Sequence, residues 1–221
     1  MNAEARLLIT IDGPAGAGKT TVSRLLADEL GYRYLDTGAL YRGVAYEALA
    51  AGIPADDDPG LGRVCASLDL AIENHRLISG GVDISDRIRS PEITMLASAV
   101  SARPVVREAL LTLQRQLGRD KALVAEGRDM GTVVFPEADL KFFLDATPRQ
   151  RAMRRFEQYG RAGGQTLAQI EKDIRQRDEN DSRRNIAPLK PADTAIVIDS
   201  TSMSAREVVA RMLAYVRSHQ K

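Results

Sequence analysis

A chain of 221 residues, 44% of them hydrophobic, suits one domain with insertions and has the apolar content to fill a core. Its 31 Lys+Arg against 30 Asp+Glu leave a net charge of +1, which excludes the global field that gathers nucleic acid or an anionic membrane, so any basic site is local. The single cysteine, Cys65, excludes an internal disulfide, and the N-terminal MNAEARLLITID shows no apolar signal-peptide core, so a cytoplasmic setting is expected. No apolar run approaches the ~20 residues that span a bilayer.

The first predicted element constrains function most. Residues 7–11 form an apolar run that reads as a strand, Asp12 and a loop with Gly13, Gly16 and Gly18 follow, and Val22, Leu25, Leu26 and Leu30 then recur at helical spacing. Gly13, Gly18, Lys19 and Thr20 satisfy GxxxxGK(S/T). In that pattern the backbone of Gly13, Pro14, Ala15, Gly16, Ala17 and Gly18 curls so that N–H groups point at phosphate oxygens. Lys19 reaches the β- and γ-phosphates, Thr20 offers its hydroxyl to Mg²⁺ with Thr21 the neighbouring alternative, and the helix N-terminus adds its dipole. The bare pattern arises by accident in roughly one chain in a hundred of this length. Between a strand and an amphipathic helix it points to a nucleoside triphosphate.

Residues 32–35 read as the next strand, followed by a helix capped by Asp36 or Thr37. Residues 53–62, IPADDDPGLG, read as a polar loop whose aspartates are solvated or cap a helix rather than hold a metal. Strand-like runs at 68–72, 76–79 and 82–84, with Gly80-Gly81 as the turn, predict a small antiparallel insert. Ser90-Pro91 and Arg103-Pro104 each start a helix. Further strands are expected at 123–126, ending in Glu126-Gly127-Arg128-Asp129, at 140–144 and at 194–198. Helices are expected at 148–159, at 166–184 with a Thr166/Gln169 capping box, and after Ser204.

Five buried strands alternating with helices predict an α/β fold, a five-stranded parallel sheet with helices on both faces, of P-loop NTPase type, its ligands at the carboxyl ends of the strands. Within one domain over 1–221, the core takes 7–62, 103–147 and 187–221. A small antiparallel and helical insert takes 63–102, and a helical lid takes 148–186.

Phosphoryl transfer needs cations around the moving charge, and two groups of arginines qualify. Arg151, Arg154 and Arg155 lie in the 148–159 helix. Arg177, Asp181 and Arg184 lie at i, i+4, i+7 in the next helix and share a face. A salt-bridged, solvated helix is the commoner meaning of such charges. Here the groups flank a glycine joint, RAGGQ at 161–165, in the manner of a lid, which favours function for Arg151, Arg155, Arg177, Asp181 and Arg184. Arg154, Arg161 and Arg183 stay open between the two.

As a whole the sequence resembles the bacterial cytidylate kinases of the nucleoside monophosphate kinase group. The resemblance is carried by IDGPAGAGKTT (11–21), LDTGALYR (35–42), ISGGVDIS (78–85), VREAL (106–110), EGRDMGTVVFP (126–136), KFFLDA (141–146) and APLKPADTAIVIDST (187–201), in order along nearly the entire chain. It implies an ATP- and Mg²⁺-dependent kinase of CMP or dCMP, with UMP or AMP as the alternative acceptor, and makes 63–102 the nucleotide-binding insert for CMP. It further implies that Thr37 and Arg42 contact the acceptor phosphate and ribose. Ser98, Arg107 and Asp129 would form the cytosine pocket, Arg128, Arg177, Asp181 and Arg184 the remaining acceptor contacts, and Arg151 and Arg155 lid residues near ATP. Lys19, Arg128, Arg151, Arg155, Arg177 and Arg184 would carry the catalysis. Base chemistry agrees, because a carboxylate accepts from the 4-amino group of cytosine while an arginine donates to its carbonyl and ring nitrogen. Thr20 directly follows Lys19 where some members place Gly before the threonine, and Thr37 stands where Ser is also found. A GTP-dependent switch would need an NKxD segment, which is absent. A nucleic-acid-binding ATPase is disfavoured by six tyrosines, four phenylalanines and no tryptophan, which offer few stacking platforms. A monomer is the expected state.

Overall fold

The computed structural model describes residues 6–73, 75–159 and 164–220. In chain order the elements are β1 (Leu8–Asp12), α1 (Lys19–Leu30), β2 (Arg33–Asp36), α2 (Thr37–Ala50), α3 (Asp58–Ala66), β3 (Leu70–Glu73), β4 (Arg76–Ser79), β5 (Val82–Asp83), α4 (Pro91–Val100), α5 (Pro104–Gly118), β6 (Leu123–Gly127), β7 (Leu140–Asp145), α6 (Pro148–Tyr159), α7 (Leu167–Ser182), β8 (Ile196–Asp199) and α8 (Ala205–His219). The chain divides into two compact units, one of residues 1–34 and 120–221, the other of residues 35–119.

In the first unit lies the five-stranded sheet of order β2-β6-β1-β7-β8, in which β1 runs parallel to β6 and β7, and β7 parallel to β8. The central strands are buried on every residue of β1 and β6, which is why they read as continuous apolar runs without alternation. Val22, Leu26 and Ala27 of α1 and Val208, Met212 and Val216 of α8 close one core with Ile9, Ile11, Phe142, Leu144 and Ile198. A reciprocal Ser204/Glu207 capping box starts α8, and a Thr166/Gln169 box starts α7, as their spacing predicts. Ala152, Ile170 and Ile174 join α6 to α7. Of the joint expected at 161–165, residues 161–163 lie outside the described residues, Arg161 among them. Between β6 and β7 the backbone makes a π-helical turn, Met130–Val134, that the sequence pattern does not foretell.

The second unit carries the antiparallel sheet β3-β4-β5, with Leu70 opposite Ser79 and Ile78 opposite Asp83. Asp36 settles the choice of cap for α2, its side chain accepting from the Ala39 N–H. The polar loop expected at 53–62 is shorter than its composition implies. Asp57 accepts from the Gly60 N–H, Pro59 occupies the first turn and Asp58 already belongs to α3, so the aspartate run acts as a helix start.

Candidate active site

The phosphate loop begins at Gly13, which passes so close to β7 that a Cβ there would lie 2.0 Å from the Leu144 carbonyl oxygen. Only glycine fits. Lys19 is buried, and its Nζ donates to the Pro14 carbonyl at 2.8 Å across the loop. Two arginines of α6 hold the loop from behind. Arg151 donates from Nη1 to the Ala15 carbonyl at 3.0 Å, and Arg154 donates from Nη1 to the Ala17 carbonyl at 3.2 Å. In a planar trans peptide the N–H points away from its own C=O, so these bonds turn the Gly16 and Gly18 amides toward the opposite side of the loop. Arg154, open on sequence grounds, also donates to the Ser200 hydroxyl at 3.1 Å, which anchors the loop to the segment after β8. Arg151, expected near ATP, is almost wholly buried: Nε donates to the Ala146 carbonyl at 2.8 Å, and Nη2 pairs with Asp178 at 2.6 Å.

The Thr20 hydroxyl donates to Glu126 Oε1 at 2.7 Å, and the Tyr34 hydroxyl donates to the same oxygen. The sequence alone assigns Glu126 no role. Its signal was its place at the carboxyl end of the strand paired with β1, where Ile11 faces it in register. A hydroxyl that donates its proton to a carboxylate keeps its oxygen lone pairs for a cation. Among the described residues no cluster of three or more His, Cys, Asp or Glu side chains is placed to hold a metal. That donor set suits Mg²⁺, which keeps several waters and leans on substrate phosphates more than on a protein cage.

Beyond the loop, cations converge. Arg128 donates from Nε to Asp181 at 3.0 Å, and Arg184 pairs with the other oxygen of the same carboxylate at 2.6 Å. Asp181 is 1% exposed, so its charge is fully committed to this cluster. Arg177, one turn before it, shares the helix face expected from the spacing. Burial, and after it Arg128, lower the Arg177 guanidinium to about 10, with Arg155 and Arg184 acting in the same sense and Asp181 opposing. Burial, and after it Arg128, lower the Lys19 ammonium to about 7, with Glu126 and Asp12 opposing and Arg177 adding to the fall. Burial thus disfavours the charges of Lys19 and Arg177, Arg128 adds repulsion to both, and a bound anion would relieve that field. Asp129 is buried beside Arg128, at 3% exposure.

The remaining expected residues fall in the second unit. Asp36 holds Arg42 at 2.8 Å, and Thr37 is buried at the start of α2. Ser98 and Arg107 are brought together by Ser101, whose hydroxyl donates to the Ser98 carbonyl at 2.9 Å and whose carbonyl accepts from Arg107 Nη1 at 3.2 Å. The buried Arg107 guanidinium also lies over the Tyr41 ring, 5.7 Å from its centroid. Sequence reasoning singles out neither Ser101 nor Tyr41, because these contacts with Arg107 join separate segments of the chain.

A phosphate loop whose lysine lies in the field of Arg128 and Arg177 suits a P-loop kinase, a class that holds a second anion beside the triphosphate. In fold the chain is similar to shikimate kinase from Bacteroides thetaiotaomicron, with a TM-score of 0.52 at 13% identity over 96% of this chain and 99% of that one. The family model for cytidylate kinase matches residues 9–218. The chain is 48% identical to a cytidylate kinase of Geobacter sulfurreducens, over 97% of this chain and 94% of that protein. It is 45% identical to a cytidylate kinase of Citrifermentans bemidjiense, again over 97% and 94%. The chain belongs to the cytidylate kinase family.

Proposed function

We infer that the chain transfers the γ-phosphoryl group of ATP to the phosphate of CMP or dCMP, giving ADP with CDP or dCDP. The observation that carries this reading is the Arg128–Asp181–Arg184 cluster together with Arg177 beyond the phosphate loop, where burial, and after it Arg128, lower both Lys19 and Arg177, a cost that bound anions offset. An acceptor phosphate is already ionised near neutral pH, so its oxygen attacks the γ-phosphorus without a general base as the bond to ADP breaks. Catalysis is then positioning and charge stabilisation. Lys19 holds the β- and γ-phosphates, while Arg128, Arg177 and Arg184 hold the acceptor phosphate and spread the transition-state charge. Arg155 acts beside them near ATP, and Arg151 acts by fixing the loop backbone. The Thr20 hydroxyl, with substrate phosphate oxygens and water, would hold Mg²⁺, which would supply neutralisation of the donor's phosphate charge.

Asp129 accepts from the 4-amino group of cytosine, Arg107 donates to its carbonyl and ring nitrogen, and Ser98 completes the base contacts, while Thr37, Arg42 and Asp181 serve phosphate and ribose. Uracil places a carbonyl where that amine stands and leaves Asp129 without a donor. Near-neutral charge and a lone cysteine support a cytoplasmic monomer of pyrimidine metabolism with no nucleic-acid or membrane partner. Initial rates of ADP release from Mg²⁺-ATP with CMP, dCMP, UMP and AMP test the reaction. CMP and dCMP are expected to turn over fastest, with one nucleoside diphosphate formed per ADP; an AMP rate equal to or above that with CMP contradicts the assignment.

A further inference from the structure

Asp12 ends β1, one residue before the phosphate loop, and is 3% exposed. Its carboxylate accepts from the Met130 N–H at 2.8 Å on Oδ1 and from the Gly131 N–H at 2.7 Å on Oδ2, 118 and 119 residues away in the chain. These two amides directly follow Arg128 and Asp129 and open the π-helical turn Met130–Val134. The later amides of the turn find partners inside it: Val133 and Val134 donate to the Asp129 carbonyl at 2.9 and 3.2 Å, and Phe135 donates to the Met130 carbonyl at 2.7 Å. The first amides of any helical turn have no partner within it. Asp12 supplies one for both, as a capping side chain does, but from a different strand.

Space agrees with the hydrogen bonds. A Cβ added at Gly131 would lie 3.1 Å from Thr10 Oγ1, 3.2 Å from Lys141 Cδ and 3.4 Å from Asp12 Oδ2, so the turn sits directly on β1 and β7. Burial pushes the Asp12 carboxyl up from its ordinary value to about 6, against the pull of the Gly131 and Met130 amides, with Asp129 raising it and Lys19 lowering it.

We propose that Asp12 is a positioning residue for phosphoryl transfer: by clamping the two amides after Asp129 it holds the turn that presents Arg128 and Asp129 in fixed register with the phosphate loop. The proposal rests on Arg128 and Asp129 being acceptor contacts. Asp12 touches neither substrate, so it acts through the turn. Only a carboxylate matches two N–H groups with two acceptor oxygens. In Asp12→Asn one of those amides faces an NH₂ group instead, and the turn loses one of its two clamps.

The test compares the full-length wild type, Asp12→Asn, Gly131→Ala and Asp129→Ala by peptide-resolved amide hydrogen exchange and by steady-state kinetics. In Asp12→Asn, exchange across 129–135 is expected to quicken about tenfold or more while α8 stays protected. KM for CMP rises about tenfold or more with KM for ATP within about threefold, because misplacement of a binding group is read in the substrate it binds. Gly131→Ala, which keeps the carboxylate but lifts the turn, gives the same split and serves should Asp12→Asn fail to fold. Unchanged exchange in 129–135, or a fall in kcat with both KM values at the wild-type level, overturns the proposal. If Asp129→Ala raises KM for CMP while Asp12→Asn and Gly131→Ala do not, positioning falls and the acceptor assignment stands. If none of the three raises it, both fall.

Discussion

Replacing Lys19 with methionine is expected to lower kcat about 10³-fold, equivalent to about 4 kcal/mol of transition-state stabilisation. Methionine keeps the aliphatic stem that fills the buried site and removes only the ammonium, so the loss measures charge rather than packing. The same residue carries a pH signature. Burial and then Arg128 hold Lys19 down at about 7 in the free protein. Bound triphosphate favours the ammonium and raises that value, so between the two values the complex holds more protons than the free protein. Binding of ATP therefore takes up protons above neutrality, and affinity falls as pH rises from about 7 toward 9. Calorimetry in buffers of different ionisation heat reads the uptake directly. Lys19→Met loses it; an undiminished uptake in the variant removes Lys19 as its source.

Arg184→Ala is the second large effect, with kcat expected to fall about 10²- to 10³-fold while the Kd for ATP changes by less than about threefold. Arg184 and Arg128 share the two oxygens of Asp181, a carboxylate that is 1% exposed. Arg184 thus has a fixed place without being part of the phosphate loop. On the proposed mechanism its charge counts most when negative charge spreads between donor and acceptor, and little when ATP alone is bound. Stopped-flow ATP binding beside steady-state rates separates the two quantities. Near-normal kcat with weakened ATP binding would assign Arg184 to the donor.

Local signals placed most of the fold. The phosphate loop, the buried strands and the boxes at Thr166 and Ser204 each depend on residues within about one turn of one another, where spacing is informative. Of the face expected at 177/181/184, Arg177 and Asp181 lie in α7, but the helix ends at Ser182 rather than at 184, and Arg184 meets Asp181 from beyond its end. What escaped depends on contacts made across the chain. Asp12 meets Met130 and Gly131 at separations of 118 and 119 residues, and Thr20 meets Glu126 at a separation of 106. No periodicity encodes such pairings. Arg154 was undecidable for the same reason, since its partners Ala17 and Ser200 lie on two other segments. The start of α3 was legible, in Asp57 before Asp58-Pro59, but an aspartate-rich stretch with two prolines weighed toward loop.

The central claim is that a kinase with this phosphate loop reads cytosine through Asp129, and the ratio of kcat/KM for CMP to that for UMP, in wild type and in Asp129→Ala, tests it most directly. The account predicts a wild-type ratio of about 10² or more that collapses to within about tenfold of unity in the variant, through loss of CMP turnover rather than gain of UMP turnover. A ratio that survives the substitution would contradict it.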